Sequence, residues 1–272
     1  MLPENIPVHN LDESDFFVIE AIENCETQNF NGVHRHNFHE ILFFTEAEES
    51  DVQSIDFIEH HLQPNQLYLL RQGQVHKMQL HRQQGYLFAI SPTYFDRMDL
   101  RMEGSIGYDF PSVISLNKED IQPVRQLAAL IFDEFYEKRR KEILDAYMHA
   151  FFTLLMFSYA GRGQAEEMDI RVKRFLASVE KYFTTERSSG FYARQASLSS
   201  KRLNELIKQA LGKTVIEVIH ERLLLEAKRL ICYEELSFKE IAFKLGFKDA
   251  SYFTRFFRGQ SGMTPEQFRQ SL

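Results

Sequence analysis

The sequence predicts an α+β fold, in which an N-terminal small β-barrel is followed by helices and then by an all-α C-terminal domain with two helix-turn-helix units. Three observations predict this fold. Short apolar or alternating runs recur up to residue 92, amphipathic helical patterns follow to residue 160, and two similar pairs of short helical patterns come after residue 169. The predicted regions are 1–112 for the barrel, 113–160 for the helices, 161–168 for a linker and 169–272 for the paired units.

The barrel is predicted from short runs of β-type sequence at close spacing. Asn-Gly, Pro-Asn and Gln-Gly pairs, which favour turns, separate these runs. The predicted strands lie within 15–23, 39–47, 54–63, 66–73 and 85–92.

Two stretches of the barrel contain histidines in a ligand-like pattern. "NGVHRHNFHEI" has His34, His36 and Glu40 in an H-x-H-x3-E spacing, and "LLRQGQVHKM" adds His76 after a glycine-containing turn. Alternation places His34 and His36 on one face of a strand. With Glu40 and His76 alongside, three imidazoles and a carboxylate would form a set that suits Fe, Mn, Ni or Zn. Histidines that only pack or hydrogen-bond inside the barrel are the alternative.

Two amphipathic helices are predicted after Pro111, within 119–140 and 142–161, with the charged run "EKRRKE" between them. One face of the first helix is apolar and needs to be buried, either against a second subunit or against the barrel. This face contains Val124, Leu127, Ala128, Ile131 and Phe135.

The two halves of the chain differ in charge. Residues 168–272 contain 19 Lys and Arg against 12 Asp and Glu, whereas residues 1–167 contain 13 against 27. A cationic domain joined to an acidic one fits a module that binds a polyanion, attached to a part that stays away from the polyanion.

Cysteine content and hydropathy indicate the compartment. Cys25 and Cys232 form no CxxC pair, so the sequence offers neither a disulfide framework nor a cysteine-rich metal site. The N-terminus has no secretion-signal pattern, and the longest apolar run, 146–160, is too short for a membrane span. We therefore expect a cytoplasmic protein with free thiols and no membrane partner.

The last forty or so residues show the signals of a helix-turn-helix unit. Ser237 and Glu240 form a capping box, Gly246 fits a helix C-terminus, and Asp249 can cap a second helix up to about residue 259. Apolar rings at three- and four-residue spacing predict the inner face of that helix, while its outer face is polar and cationic. A small helical hairpin with a solvated basic face is the alternative.

A similar unit lies fifty residues upstream. Leu203, Ile207, Lys208 and Gly212 occupy the positions that Phe253, Phe257, Arg258 and Gly262 occupy in the later unit. Ser199 or Ser200 can cap its second helix, and "GFYARQA" supplies its first helix. Residues 214–233 predict a long connecting helix, which can hold two recognition helices about 34 Å apart, one DNA turn. Residues 169–183 predict a further helix that docks on the first unit.

The last unit contains a long run of residues at fixed positions: Ile241, Ala242, Gly246, Phe247, Ser251, Tyr252, Phe253, Arg255, Phe256, Phe257, Arg258, Gly262, Thr264, Pro265, Phe268 and Arg269. This run resembles the C-terminal signature of the AraC/XylS family of bacterial transcription regulators. The resemblance extends from the helix near residue 170 to the C-terminus and implies a DNA-binding regulator, more often an activator that contacts RNA polymerase, and a homodimer paired through the helices of 113–160. Glu205 departs from the pattern, since many relatives have a basic or amide residue there.

The histidine stretches resemble the two motifs of cupin barrels, which are the usual N-terminal partners of this DNA-binding domain. Gln72 departs from the second motif, where proline is common. The resemblance implies a small-molecule effector, such as a sugar, inside the barrel. Since regulators of this kind frequently lack the metal, we predict no cofactor and no bound metal. The residues expected to line the effector site are His34, His36, Glu40, Tyr68 and His76.

The exposed residues of the two predicted recognition helices divide into two groups by their chemistry. Cations late in each helix suit DNA phosphates, and polar or charged residues early in each helix suit base edges. The alternative for each is a solvated charge or a helix cap. The phosphate group is Lys208, Lys213, Arg255 and Arg258, and the base group is Lys201, Arg202, Asn204, Glu205, Ser251 and Thr254.

The sequence therefore predicts a transcription regulator that binds promoter DNA, and no catalytic residues. It contains no GxSxG, no phosphate-binding glycine loop and no HExxH. Two alternatives remain: a metal-dependent cupin enzyme that carries a DNA-binding tail, and a regulator whose N-terminal half senses a protein partner.

Overall fold

A computed structural model describes residues 8–9, 11, 16–25, 32–48, 50–79, 82–102, 111–159, 169–233 and 236–271. The chain divides into two compact units, one within residues 7–167 and the other within 168–272. The predicted linker 161–168 lies outside the described residues, as does Asn31 of the predicted Asn-Gly turn. The finer region boundaries stay predictions.

The N-terminal unit is built mainly from short strands. A 3-10 helix at Ile22–Asn24 follows the second of them. The strands are β1 (Val8–His9), β2 (Phe17–Ala21), β3 (His34–His36), β4 (His39–Glu46), β5 (Val52–Ile55), β6 (Ile58–His61), β7 (Gln66–Leu70), β8 (Val75–Met78), β9 (Gln84–Ile90) and β10 (Val113–Ser115).

These strands form two sheets with the orders β1-β3-β8-β5-β6 and β10-β7-β4-β9-β2. β1 runs parallel to β3, and the other pairs are antiparallel. Leu42, Phe44 and Tyr68 of the second sheet share a buried cluster with Ile55 and Met78 of the first, so the sheets face each other. The all-β prediction is confirmed in this form, which is typical of double-sheet jelly rolls.

Helices cover the outer face of the second sheet. They are α1 (Pro92–Arg101), α2 (Ile121–Glu137) and α3 (Lys141–Tyr159). On β4, Ile41 and Phe43 pack with these helices, whereas Leu42 and Phe44 face the other sheet. The run "ILFF" is continuously apolar because this strand is buried on both faces.

The segment 54–63 was predicted as one strand, and the prediction is wrong. β5 and β6 form a hairpin in that region, and its turn contains Asp56 and Phe57 with φ of 47° and 73°. Two-residue turns of this kind usually contain glycine or asparagine. The absence of both left no turn signal in the sequence.

Two further elements near the helical region were not predicted. α1 begins at a proline, and Ser91 caps it by accepting a hydrogen bond from the Tyr94 backbone N–H at 3.2 Å. Residues 113–115 form β10, which pairs with β7, before the first predicted helix begins.

The apolar face of α2 is buried inside the N-terminal unit. Val124, Ala128 and Ile131 are fully buried, and Phe135 is 5% exposed; all four pack in the cluster that contains the outer face of the second sheet. This face is therefore not available to a second subunit. The alternative, in which the helix packs on the barrel, is correct for these residues.

The C-terminal unit is all-helical, as predicted. Phe253, Phe257, Leu203 and Ile207 are fully buried in one core, and helices of both helix-turn-helix units pack against the central helix α7. The helices are α4 (Ile170–Tyr182), α5 (Ser189–Gln195), α6 (Ser200–Leu211), α7 (Val215–Tyr233), α8 (Phe238–Lys244), α9 (Ala250–Ser261) and α10 (Pro265–Gln270).

Two predicted global properties can be compared with the structure. Cys25 and Cys232 are both free. Within the described ranges, none of the helices combines the length and the hydropathy that crossing a membrane requires.

Candidate nucleic-acid interface and effector site

The second helix of each helix-turn-helix unit is fixed by the same local signals. Ser199 caps α6 by accepting from the Arg202 backbone N–H at 3.2 Å, and Asp249 caps α9 by accepting from the Tyr252 backbone N–H at 2.7 Å. α6 ends at Gly212 with φ 69°, and α9 ends at Gly262 with φ 80°. The caps, inner faces and terminal glycines of the two helices are thus offset by the fifty residues that the sequence predicted.

The turns between the two helices of each unit also share a hydrogen-bond pattern. In the first turn the Leu198 backbone N–H donates to the Ala193 carbonyl, and in the second the Phe247 backbone N–H donates to the Ala242 carbonyl, both at 2.8 Å. The residue before each donor has positive φ, 54° at Ser197 and 75° at Gly246. The sequence indicated the glycine, but nothing in it marked the serine.

Most of the predicted DNA-binding side chains are on the exposed faces of α6 and α9. Lys201, Arg202, Glu205 and Lys208 are exposed on α6, and Ser251, Arg255 and Arg258 are exposed on α9.

Two members of the predicted base group are half-buried and have partners inside the domain. The Asn204 Oδ1 accepts from the Val215 backbone N–H at 3.1 Å, and the Thr254 hydroxyl donates to the Ala250 carbonyl at 2.9 Å. The first bond connects Asn204 to the start of α7, and the second joins the Thr254 hydroxyl to the backbone of its own helix. Both side chains therefore have structural roles that the sequence did not reveal.

The two exposed faces have the same net charge but arrange it differently, since only α6 includes an acidic residue. On α6, the Arg202 Nη1 lies 3.3 Å from the Glu205 Oε2, and both side chains are largely in solvent. An exposed pair of this kind contributes about 0–1 kcal/mol, so it separates at little cost. Arginine then suits guanine or phosphate, and glutamate can accept from the cytosine amino group. Lys213 is paired with Glu221 at 2.7 Å, while α9 presents Arg255 and Arg258.

The predicted effector residues converge in the N-terminal unit. His34 of β3 is directly opposite His76 of β8, and one ring nitrogen from each of His34, His36 and His76 lies within 4.8 Å of the other two. The Glu40 Oε2 lies 3.6 Å from the Nε2 atoms of both His36 and His76. All four side chains are buried, so the cluster is screened from bulk water.

Hydrogen bonds set the proton positions in this cluster. The His34 Nδ1 lies 3.1 Å from the Gly32 carbonyl, which can only accept, so that nitrogen carries the proton and the Nε2 has a lone pair. The His36 and His76 Nε2 atoms are 2.7 Å apart, so one donates and the other accepts. Burial raises the pKa of Glu40 to about 8, which favours the neutral acid at neutral pH.

One residue of the cluster was missed by the sequence reasoning. Gln53 of β5 is fully buried, and its Nε2 lies 3.5 Å from the His76 Nδ1. Alternation in "VQSI" places Gln53 on the same strand face as the buried Ile55, and this was the available signal.

Tyr68 has its ring in the interior between the sheets, but its hydroxyl is used within the fold. The hydroxyl donates to the Gln66 Oε1 at 2.8 Å and to the His61 carbonyl at 3.2 Å. Burial raises the pKa of Tyr68 to about 12, so the phenol stays protonated.

The donor set of the cluster suits a divalent transition-metal ion. Three imidazoles with one lone-pair Nε2 at His34, and a carboxyl group at Glu40, match the ligands that such ions prefer. The 2.7 Å between the His36 and His76 Nε2 atoms is shorter than the roughly 3.3 Å between two nitrogen ligands of a tetrahedral ion, so one ring would have to rotate outward. A bound ion would supply a Lewis acid at this place and keep Glu40 ionised. The predicted absence of a metal stays a prediction.

Known proteins resemble this chain over part or most of its length. Residues 192–271 match a family model described as a helix-turn-helix domain. The HTH-type transcriptional activator RhaS of Escherichia coli is 29% identical over 166 residues, which cover 59% of this chain and 58% of that protein. The chain thus spans somewhat more than half the length of the curated relatives it matches.

Solved structures with detectable similarity include the C-terminal domain of AraT, a response regulator from Geobacillus stearothermophilus. It is 26% identical and has a TM-score of 0.38, covering 39% of this chain and 89% of that chain. A variant of ToxT from Vibrio cholerae, in its apo form, is 13% identical with a TM-score of 0.43, covering 94% of this chain and 97% of that chain.

The fold and the matches define the C-terminal unit as a double helix-turn-helix domain. This part of the chain resembles the AraC type, so the predicted resemblance to the AraC/XylS family is confirmed for it. The cupin assignment of the N-terminal unit stays a prediction.

Proposed function

We propose that this protein is a transcription regulator that binds promoter DNA through α6 and α9 in successive major grooves of one duplex. The observation that carries this proposal is the repetition, at a fifty-residue offset, of a capped helix with a buried apolar face and an exposed polar and cationic face. The match of residues 192–271 to a helix-turn-helix family supports it. Recognition helices of this class enter major grooves, and a rigid connector suits two grooves one turn apart.

The N-terminal unit, in this proposal, binds a small polar effector such as a sugar. The buried cluster of His34, His36, Glu40 and His76, together with Gln53, offers donors and acceptors inside an apolar shell, which is the usual chemistry of a small-molecule site. Ligand binding would favour one conformation of the regulator and so change its affinity for DNA.

We also propose that the protein acts in the cytoplasm as a homodimeric activator, with RNA polymerase as a further partner. Leu130 of α2 is 48% exposed and Phe157 of α3 is 71% exposed, so apolar side chains remain outside the core in the segment assigned to dimerisation. Sedimentation velocity of the full chain, with and without DNA, tests the dimer. A monomer at micromolar concentration in both states contradicts it.

Genome-wide mapping of bound promoters tests the regulatory proposal. Discrete peaks that share a motif are expected, and the neighbouring genes would indicate the effector's chemistry. Binding to no site, or equal binding everywhere, contradicts the proposal. Thermal shifts of the N-terminal unit with a panel of sugars and metabolites then test the effector, and a panel without any shift favours a protein partner instead.

The histidine cluster favours one second candidate, a metal-dependent enzyme that carries a DNA-binding domain. Metal analysis of the purified full chain, repeated with His36→Ala, separates the two. If the wild type contains metal and the variant does not, the enzyme is favoured. If the wild type contains no metal and binds DNA, the enzyme is excluded.

A further inference from the structure

Two sets of contacts hold the recognition helices α6 and α9 in position relative to each other. Helices of both units pack against α7, which at 19 residues is ~28 Å long. This packing on α7 is one connection between the two units. The loop between α4 and α5, residues 183–188, provides a second connection.

The loop is fixed to the first unit at its C-terminal end and to the connecting helix α7 at its N-terminal end. Near its C-terminal end, the hydroxyl of the fully buried Tyr192 of α5 donates to the Glu186 carbonyl at 2.9 Å. At its N-terminal end, the Arg222 guanidinium of α7 lies 4.1 Å from the centroid of the Phe183 ring and pairs with Glu180 of α4 at 2.7 Å.

The same loop contacts the turn of the second unit. The Arg187 Nη2 donates to the Leu245 carbonyl at 2.7 Å, and its guanidinium carbon lies 3.8 Å from the centroid of the Phe247 ring. A Cβ at Gly246 would lie 1.9 Å from the Thr184 carbonyl oxygen, so the loop backbone fits against a residue without a side chain. Arginine can stack on a ring and donate in its own plane at once, which lysine cannot.

The contacts continue from the turn into the second recognition helix. Phe247 is 2% exposed, and its ring centroid lies 5.3 Å from that of Phe253 and 5.2 Å from that of Phe256, both on α9. Because these rings belong to one packed core, a shift of the turn displaces α9 with it.

We propose that Arg187 is a positioning residue that fixes α9 relative to α6 and thereby sets the half-site spacing the protein accepts. The proposal rests on the proposed function, since it requires that both helices bind one duplex. Two linked modules gain affinity only when their geometry allows both to bind at once. If the second unit is held less firmly, the protein binds a correctly spaced site more weakly. It also loses less affinity when the spacing of the half-sites is changed.

The test uses full-length protein and duplexes selected by the wild type from a random library. Affinity is measured on the selected duplex, on derivatives with one or two base pairs inserted between its halves, and on duplexes that keep only one half. For wild type we expect the insertion to weaken binding by at least about tenfold. For Arg187→Ala we expect binding to the selected duplex to weaken by about tenfold, the insertion to cost less than about threefold, and each single half to bind within about twofold of wild type.

Two variants control this test. Arg187→Lys keeps the charge and the side-chain length but loses the stacked, planar donor, and we expect it to behave like Arg187→Ala. Arg174→Ala removes an exposed arginine from α4 and should keep the wild-type dependence on spacing. If both Arg187 variants keep the full insertion penalty, the positioning role is overturned while DNA binding stands. If the wild type selects no sequence, the proposed function is overturned and the positioning role with it.

Discussion

The two helix-turn-helix units share a framework but differ in the faces they present. Their second helices have the same length, the same type of cap and the same left-handed terminal glycine. Yet α6 exposes the Arg202 and Glu205 ion pair, whereas α9 exposes Arg255 and Arg258. Framework positions are determined by hydrogen bonding and burial, which both units must satisfy in the same way. The exposed positions are left for interaction with DNA, and there the units diverge.

The largest expected effect comes from the two turns. Gly246→Val is expected to lower the free energy of unfolding of the C-terminal unit by more than about 3 kcal/mol, because a branched side chain at φ 75° would also collide with the Thr184 carbonyl. Ser197→Gly is expected to raise it by up to about 1 kcal/mol, since glycine adopts φ 54° without strain. Urea unfolding followed by far-UV circular dichroism measures both. Equal, small effects at the two turns would contradict the comparison.

The second prediction concerns the exposed faces. Arg258→Ala and the matched Lys208→Ala are each expected to weaken binding to all DNA sequences and to reduce the salt slope by ~0.9. Glu205→Gln is expected to raise the affinity for random DNA several-fold, because it removes a negative charge from the face of α6. Titrations at four salt concentrations measure both quantities. A change confined to one operator base would contradict the phosphate assignment of Arg258.

The third prediction separates Asn204 from Thr254, which occupy equivalent positions. Asn204→Ala is expected to destabilise the C-terminal unit by ~1 kcal/mol, because the backbone N–H of the fully buried Val215 loses its acceptor. Thr254→Ala is expected to change stability by less than about 0.5 kcal/mol, since its hydroxyl only returns to the Ala250 carbonyl. Thermal unfolding measures both. Should Asn204→Ala relax base preference at one position without loss of stability, its role would be base contact.

The smallest expected effect concerns the capping boxes at the starts of α7 and α10. Thr214 and Glu217 form the first box, and Thr264 and Gln267 form the second. The hydrogen bond from the Thr214 backbone N–H lowers the pKa of Glu217, whereas Gln267 at the equivalent place does not titrate. A carboxyl group with a lowered folded pKa adds stability above its ordinary pKa, and this stability is lost as pH falls through the folded value. Below about pH 5, the free energy of unfolding should therefore depend less on pH in Glu217→Gln than in wild type, and more on pH in Gln267→Glu. Identical pH profiles for both variants and wild type would contradict this.

Local signals in the sequence predicted much of the C-terminal unit. The caps at Ser199 and Asp249 and the capping box at Ser237 depend on hydrogen bonds between residues three apart, so the pattern alone specifies them. The buried rings of α9 followed from their spacing in the same way.

Features that the residue types do not indicate could not be predicted. Ser197 adopts positive φ because the backbone must turn sharply for the next N–H to reach the Ala193 carbonyl, not because serine prefers it. The hairpin turn at Asp56 and Phe57 is held in part by Gln74, whose side-chain amide donates to the Asp56 Oδ2 at 2.7 Å. Gln74 lies 18 residues from Asp56 in the sequence, so no local pattern connects the two.

The candidate effector cluster lies between these cases. Its residue types and spacing were evident, and strand alternation placed His34 and His36 together. The pairing of β3 with β8, which brings His76 opposite His34, is a result of the sheet topology. Gln53 reaches His76 because β5 pairs with β8, and it lies just before the strand predicted at 54–63.

Strand β4 separates two cores, since its residues alternate between the histidine-lined interior and the helical layer. Substitutions on one face of this strand therefore affect the packing on its other face. Replacing Leu42 or Phe44 on the inner face would change the shape of the interior. It would also shift the backbone that carries Ile41 and Phe43. Evolution of a new ligand preference would then require compensating replacements among the helix residues that cover this sheet, and functional homologues should vary on the two sides in concert.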